Sequence, residues 1–256
     1  MTDTFAKIQT YLSRLQYPGP IKPNWKHLAA LQWQHLHQIP FENLDIHLGR
    51  EILLDLDRIY QKVVPTYRGG FCFEVNSLFH WLLQSLGFNA YLISCAVYME
   101  VHDAFGADGG HAAVMVLIDG QKWLVDVGFG DGIQKPVILG GQEADFHSYR
   151  YYQVFALPGG NYQLMKSEDQ KKWIPMYRFL DMPVNLPHFQ TMCRFHQTSA
   201  SSPFTQRRLC TKLTNEGRIT LAGDRLIITG ADQRSEVVIT NAQYDEYLQQ
   251  YFGIVL

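Results

Sequence analysis

The chain has 256 residues, an ordinary apolar content, many aromatic side chains and a formal net charge of −2. That length builds one large domain or two to three smaller ones sharing an interface. The charge gives no electrostatic basis for binding nucleic acid or an anionic membrane.

No apolar run reaches transmembrane length. The N-terminal Met1-Thr2-Asp3-Thr4-Phe5 lacks the basic-then-apolar order of a signal peptide, so a cytoplasmic location is expected. The four cysteines, Cys72, Cys95, Cys193 and Cys210, lie far apart with no C-x-x-C pair, which argues against a disulfide framework and against a metal site.

Apolar positions at helical spacing predict helices over 5–15 and 25–37, separated by Gly19 and Pro20. Pro23 stands where the second could begin. Pro40 ends it and sets an extended turn through Ile39-Pro40-Phe41-Glu42-Asn43-Leu44-Asp45. A short helix over 54–64 stops at Pro65. Then comes Arg68-Gly69-Gly70-Phe71-Cys72-Phe73-Glu74-Val75-Asn76, which opens an amphipathic helix over 72–86 closed by Gly87.

A thiol at a helix start meets unpaired backbone N–H groups and the positive end of the helix dipole. Both favour the thiolate, the nucleophilic form. Arg68 adds a positive charge nearby, and the two glycines allow close backbone approach. Cys72 is therefore a candidate nucleophile. A buried packing cysteine is the competing reading, because free cysteine is among the most buried residue types.

From Asn89 the pattern changes to strands. Runs over 91–99, 112–118, 123–127, 149–157 and 161–165 are rich in β-formers and bounded by turn residues, which predicts an antiparallel sheet or small barrel. Residues 185–198 have helical character, and Ser199-Ala200-Ser201-Ser202-Pro203 has the composition of a linker. Short strands follow over 209–214, 218–221, 225–229 and 236–239, then a closing helix over 242–252. The class is α+β, helices first and sheet second.

A cysteine nucleophile needs a base, and the base needs a group to orient it. Of ten histidines, His27, His35 and His37 sit at helical spacing and suit helix packing or surface. His80 lies two turns along the Cys72 helix, too far to bond to it. His111 has a geometric argument. Ile118-Asp119-Gly120-Gln121 signals a two-residue type I′ hairpin. That register sets Ala113 opposite Asp126 and puts His111 on the same face, so His111 and Asp126 are diagonal cross-strand neighbours. Asp126 interrupts an apolar run, where a buried carboxylate needs a partner. A strand-end aspartate facing water is the alternative.

These residues resemble the arylamine N-acetyltransferase family. The segment Arg68–Asn76 resembles its active-site cysteine motif. His111 and Trp123-Leu124-Val125-Asp126-Val127-Gly128-Phe129-Gly130 match its histidine and aspartate segments, Ile39–Leu44 its proline–phenylalanine–glutamate–asparagine motif, and Ser202-Pro203-Phe204 the opening of its third domain.

The resemblance implies a helical bundle over 1–87, a β-barrel over 88–198 and an α/β lid over 199–256, with a papain-like Cys72–His111–Asp126 arrangement. It implies acetyl transfer from acetyl-CoA, through a thioester on Cys72, to arylamines, arylhydrazines or N-hydroxyarylamines, with no permanently bound cofactor. It also implies that Phe41, Phe129 and Phe204 border the acceptor cleft, that Gly128 and Gly130 leave room near the thioester, and that Arg68 and Glu42 pair to brace the cysteine loop. Phe129 and Phe204 read equally as ordinary aromatic core. The interdomain insertion and long C-terminal tail of eukaryotic members are absent, which points to the bacterial branch. Two other activities fit the same residues, a Cys–His–Asp hydrolase and an amide synthase of a polyketide pathway. A non-catalytic protein that keeps the fold is the third alternative.

Overall fold

A computed structural model describes residues 2–17, 19–148, 150–230 and 233–256. Helices come first: α1 (Thr2–Arg14), α2 (Trp25–Gln38), α3 (Leu44–His47), α4 (Leu56–Val63) and α5 (Cys72–Ser85), with a two-residue strand β1 (Phe41–Glu42) between α2 and α3. The start of α2 lies after Pro23, where Asn24 accepts a bond from His27 N at 3.1 Å and so satisfies an orphan donor. Gly87, at φ 87°, ends α5 in the left-handed conformation that glycine adopts without strain.

Next come β2 (Asn89–Met99), β3 (Ala104–Phe105), β4 (His111–Ile118), β5 (Gln121–Val125), β6 (Val137–Ile138), β7 (Asp145–His147), β8 (Arg150–Ala156), β9 (Asn161–Ser167) and β10 (Ile174–Leu180). They form a nine-stranded antiparallel sheet ordered β6-β5-β4-β2-β10-β9-β8-β7, with β3 paired to β2. Its ends curl together until β6 lies against β8, which nearly closes a barrel. Tyr149, where the fourth strand was expected to begin, lies outside the described residues.

The chain finishes with α6 (Gln190–Thr198), α7 (Pro203–Gln206), β11 (Leu209–Thr214), β12 (Gly217–Ala222), β13 (Arg225–Gly230), β14 (Arg234–Val238) and α8 (Asn241–Tyr247), the last running on as a π-helical turn, Leu248–Phe252. The expected helix over 185–198 begins with a 3₁₀ turn, Leu186–Phe189, with Pro187 in its first positions, where a missing N–H costs nothing.

Alternation along β2 and β4 explains why both read as nearly continuous apolar runs. Ala90, Leu92, Ala112, Val114 and Val116 face the helices, while Ile93, Cys95, Ala113 and Met115 face the barrel interior. The helix that opens at Cys72 packs on the first face through Val75, Phe79 and Leu83, each about 1.5–3 kcal/mol of burial. Leu83→Ala would remove one such anchor and cost about 2–5 kcal/mol.

Strand β1 joins the first and last thirds. Phe41 pairs with Thr211 and Glu42 with Cys210 on β11, while Glu42 N donates to Gly70 O at 3.0 Å. The extended turn after Pro40 thus bonds to the cysteine loop on one side and the C-terminal sheet on the other. The segment 199–203 is an ordered turn rather than a slack linker. Ser202 N donates to Ser199 O at 3.0 Å, Thr205 Oγ1 donates to Ser199 O at 2.8 Å, and Ser202 is fully buried.

Candidate active site

Cys72 is the first residue of α5 and is 3% exposed. Glu74 N and Val75 N both bond back to Phe71 O, so the N–H groups of Cys72 and Phe73 stand ahead of the helix's own bonding. The Glu74 carboxylate accepts from Phe71 N at 3.1 Å and fixes the entry of the helix.

Both glycines before the cysteine are required by space. A β-carbon at Gly69 would fall 1.9 Å from Pro40 O, and one at Gly70 would fall 2.8 Å from the Glu74 side chain. The loop therefore lies flat between the Pro40 turn and the first turn of α5.

The hairpin forms in the expected register, with Ile118 opposite Gln121 and Val114 opposite Val125. Asp119 (φ 49°) and Gly120 (φ 77°) are both left-handed, as a type I′ turn demands. The ladder stops one pair short of Asp126, which turns its carboxylate back on its own chain to accept from Gly128 N at 2.9 Å.

From there Asp126 Oδ2 accepts from His111 Nε2 at 2.7 Å and from Tyr177 Oη at 3.0 Å, and Oδ1 accepts from Asn76 Nδ2 at 2.9 Å. Asp126 is 1% exposed, so the reading as a water-facing strand end is set aside. Four donors satisfy a buried carboxylate.

With Nε2 held by Asp126, His111 has Nδ1 left, and the Cys72 side chain lies close enough to act on the charge of the ring. Burial pushes the His111 pKa down. The Asp126 charge and hydrogen bond, with a smaller contribution from Cys72, outweigh it and raise the pKa to about 10. Burial pushes Asp126 up, but His111, Asn76 and Gly128 N pull it below the usual carboxylate range. The other thiols sit differently. Burial pushes Cys95 and Cys210 well up and Cys193 up to about 12, as suits packing residues.

Arg68 does not offer a free charge to the thiol. Its Nε donates to Glu42 Oε1 at 3.0 Å and its Nη2 to Asp45 Oδ1 at 3.0 Å. Lys62 Nζ bonds to Asp45 Oδ2 at 2.7 Å and to Glu74 Oε1 at 2.9 Å. The expected Arg68–Glu42 pair is thus part of a larger buried network that fixes the cysteine loop from below. Burial, joined by the Glu42 charge, leaves Glu74 raised despite Lys62, whereas Lys62 and Arg68 outweigh burial at Asp45 and lower it.

The aromatic candidates fall into two groups. Phe129 lies edge-on to His111 with centroids 5.2 Å apart and touches Tyr177 at 5.4 Å. Phe204 lies 6.0 Å from Phe41 and 6.3 Å from Phe71, on the side of the cysteine loop. Gly128 packs on Cys72 itself. Gly130 has more room, since a β-carbon there would meet only Thr211 Cγ2 at 3.6 Å.

Sequence reasoning missed two partners of Asp126. Asn76 lies four residues after Cys72, on the same helix face, and that spacing was a usable signal. It donates to Ala112 O at 2.6 Å and accepts from Val127 N at 2.9 Å, so it fastens α5 to both hairpin strands. Tyr177 lies on β10, where Pro175 interrupts the strand pattern in the sequence. The structure places a register shift between Pro175 and Tyr177.

Among the described residues no group of three or more His, Cys, Asp or Glu side chains is placed to hold a metal ion. No helix among them is long and apolar enough to cross a membrane.

Comparison with known proteins agrees with this geometry. Residues 24–256 match the N-acetyltransferase family. The pineal gland isozyme NAT-10 of arylamine N-acetyltransferase from Gallus gallus is 28% identical over 273 aligned residues, covering 97% of this chain and 94% of that protein. Arylamine N-acetyltransferase C from Bacillus anthracis superposes with a TM-score of 0.90 at 25% identity, covering 97% of this chain and 98% of that one. A Bacillus cereus arylamine N-acetyltransferase, described as having a unique Cys-His-Glu catalytic triad, also gives 0.90, at 26% identity over 98% of this chain and 99% of its own.

Proposed function

The chain belongs to the arylamine N-acetyltransferases, a family of acyltransferases that move acetyl to aromatic amines, and from that premise we propose that it works in two half-reactions through a thioester on Cys72. The observation that carries the reading is the buried set of Cys72, His111 and Asp126, with His111 bonded to Asp126 and Asp126 held by four donors.

In the first half-reaction Cys72, whose proton already sits on His111 Nδ1 in a resting thiolate–imidazolium pair, attacks the carbonyl carbon of acetyl-CoA through Sγ. Negative charge gathers on the carbonyl oxygen, where N–H groups at the start of α5 can meet it. The carbon–sulfur bond to CoA then breaks, and His111 returns the proton to the departing sulfur. In the second, an aromatic amine attacks the acetyl carbon on Cys72. His111 takes the proton from nitrogen and keeps it as Cys72 Sγ leaves as the thiolate, which restores the resting ion pair. Asp126 holds the imidazole in one tautomer and stabilises its charged form throughout.

Aromatic amines suit this chemistry because they stay unprotonated at neutral pH. Arylhydrazines and N-hydroxyarylamines share that property and complete the proposed acceptor class. The division 1–87, 88–198 and 199–256 assigns the nucleophile to the first segment, His111 and Asp126 to the second and Phe204 to the third. A reducing cytoplasm keeps the thiol free.

CoA release with and without an aromatic amine tests the reading. Turnover should need the amine and vanish in Cys72→Ala. Equal release without amine would mark a hydrolase instead.

A further inference from the structure

One histidine beside the site takes no part in that chemistry. His196, on α6, is 8% exposed. Its Nε2 donates to Gly110 O at 3.3 Å, the carbonyl of the peptide that leads into His111. A carbonyl only accepts, so Nε2 carries the proton and Nδ1 is left as an acceptor.

Nδ1 faces Ser202 Oγ at 3.3 Å. That hydroxyl donates its one proton to His196 O at 3.1 Å and accepts from Phe204 N at 3.2 Å, which caps the short turn that bears Phe204. The His196 ring also packs edge-on to Phe204, with centroids 5.0 Å apart, and is nearly parallel to Phe73 at 6.0 Å. Thus one imidazole bonds to the peptide before His111 on one side and packs against the Phe204 turn on the other.

We propose that His196 is a positioning residue for acetyl transfer, fixing the Gly110–His111 peptide against the α7 turn so that His111 and Phe204 keep a set spacing about Cys72. The inference rests on the reading of Cys72 as the acetylated nucleophile.

Two features support it. First, the ring is held neutral. Burial pushes its pKa down, and the nearby His111 charge adds to this against the pull of Gly110 O. A neutral ring puts no second positive charge beside the His111 imidazolium. Second, packing alone does not require the bond to Gly110 O. A leucine would fill much of the same volume between Phe73 and Phe204 but would leave Gly110 O without this donor.

The test uses His196→Leu, which keeps bulk and loses the bond to Gly110 O, and His196→Gln, which keeps a donor. Acetylation of Cys72 by acetyl-CoA is followed by intact mass. Steady-state kcat and KM are measured with aniline and with the bulkier 2-aminofluorene, and folding is checked by thermal midpoint.

For His196→Leu the expected result is a kcat about tenfold lower with both amines, because a small misplacement of a catalytic group costs rate steeply. KM for 2-aminofluorene should rise about threefold or more and that for aniline hardly move, since loosened packing at Phe204 penalises the larger ring. His196→Gln should recover most of kcat. Should the leucine variant not fold, His196→Asn, too short to reach Gly110 O, is expected to show the same kcat loss.

Wild-type kinetics in His196→Leu, or in His196→Asn where that replaces it, would overturn the proposal. So would a glutamine variant as impaired as the leucine one. Absence of acetyl on Cys72 in the wild type and every variant would overturn the reading of function itself, and this inference with it.

Discussion

Gly128 packs directly on the helix start that bears Cys72: a β-carbon at Gly128 would lie 2.8 Å from Cys72 Cα and 2.6 Å from Asn76 Nδ2. The loop after β5 and the first turn of α5 therefore meet backbone to backbone. Gly128→Ala must push them apart, at a cost of about 1–3 kcal/mol. It should lower the urea midpoint and slow alkylation of Cys72 by iodoacetamide. Gly130→Ala, whose β-carbon has open space up to Thr211, should be close to neutral in both assays. Equal behaviour of the two variants would contradict this packing.

Asp126→Asn should leave a folded protein with a poorly reactive thiol. An amide has one accepting oxygen where the carboxylate has two, so either His111 and Tyr177 or Asn76 and Gly128 N would face its NH₂ group. The His111 cation also loses its partner. Alkylation of Cys72 at neutral pH should slow about a hundredfold, within the range general-base loss produces. Tyr177→Phe removes one donor of four and should cost about 1 kcal/mol of stability. Most of the reactivity should remain. Unchanged alkylation in Asp126→Asn would make Asp126 structural.

The buried histidines should titrate at opposite extremes. His111 is raised to about 10, whereas burial, helped by Arg14, lowers His35 to about 3, and burial, helped by Lys135, lowers His147 to about 3. An unfolded histidine titrates near 6.5. The raised group stabilises the fold fully below about pH 6.5, and that contribution fades as pH climbs through about 10. The depressed groups stabilise it above about pH 6.5 and lose that contribution as pH falls towards about 3. Nitrogen-15 spectra of labelled histidine should show a cationic His111 at pH 8 and neutral His35 and His147 at pH 5. A His111 titration near its unfolded value would break the proposed pairing with Asp126.

The network beneath the cysteine loop predicts a strong effect from one lysine. Lys62 bridges Asp45 and Glu74, with Glu42 3.8 Å away. Lys62→Met would leave three buried carboxylates to share Arg68, and breaking such a pair costs about 3–5 kcal/mol. Urea denaturation should show that loss, and it should shrink at low pH as the carboxylates protonate. A loss below about 1 kcal/mol, typical of an exposed pair, would contradict the burial.

Much of this arrangement was legible in the sequence because it is local. The Asp119-Gly120 turn fixes the register that brings His111 and Asp126 to one face, and Gly-Gly before Cys72 marks a place where no side chain fits. What stayed hidden depends on long-range packing. Tyr177 reaches Asp126 from a strand 51 residues away that Pro175 disguises. The Arg68–Glu42 pair came only through the family resemblance, and nothing in the periodicity says that Lys62, Asp45 and Glu74 converge with it. His196 has the spacing of an ordinary helix-face residue, and its link to Gly110 exists only once α6 folds against the start of β4.

The central claim is that acetyl rests on Cys72 between the two half-reactions, and isolating that species tests it most directly. The protein is mixed with acetyl-CoA, free CoA is removed, and the modified site is located by peptide mapping before aniline is added. We predict a single acetyl group on Cys72 that disappears on adding aniline, with matching release of acetanilide. Acetyl on another residue, or acetanilide formed only when both substrates are present together, would contradict the account.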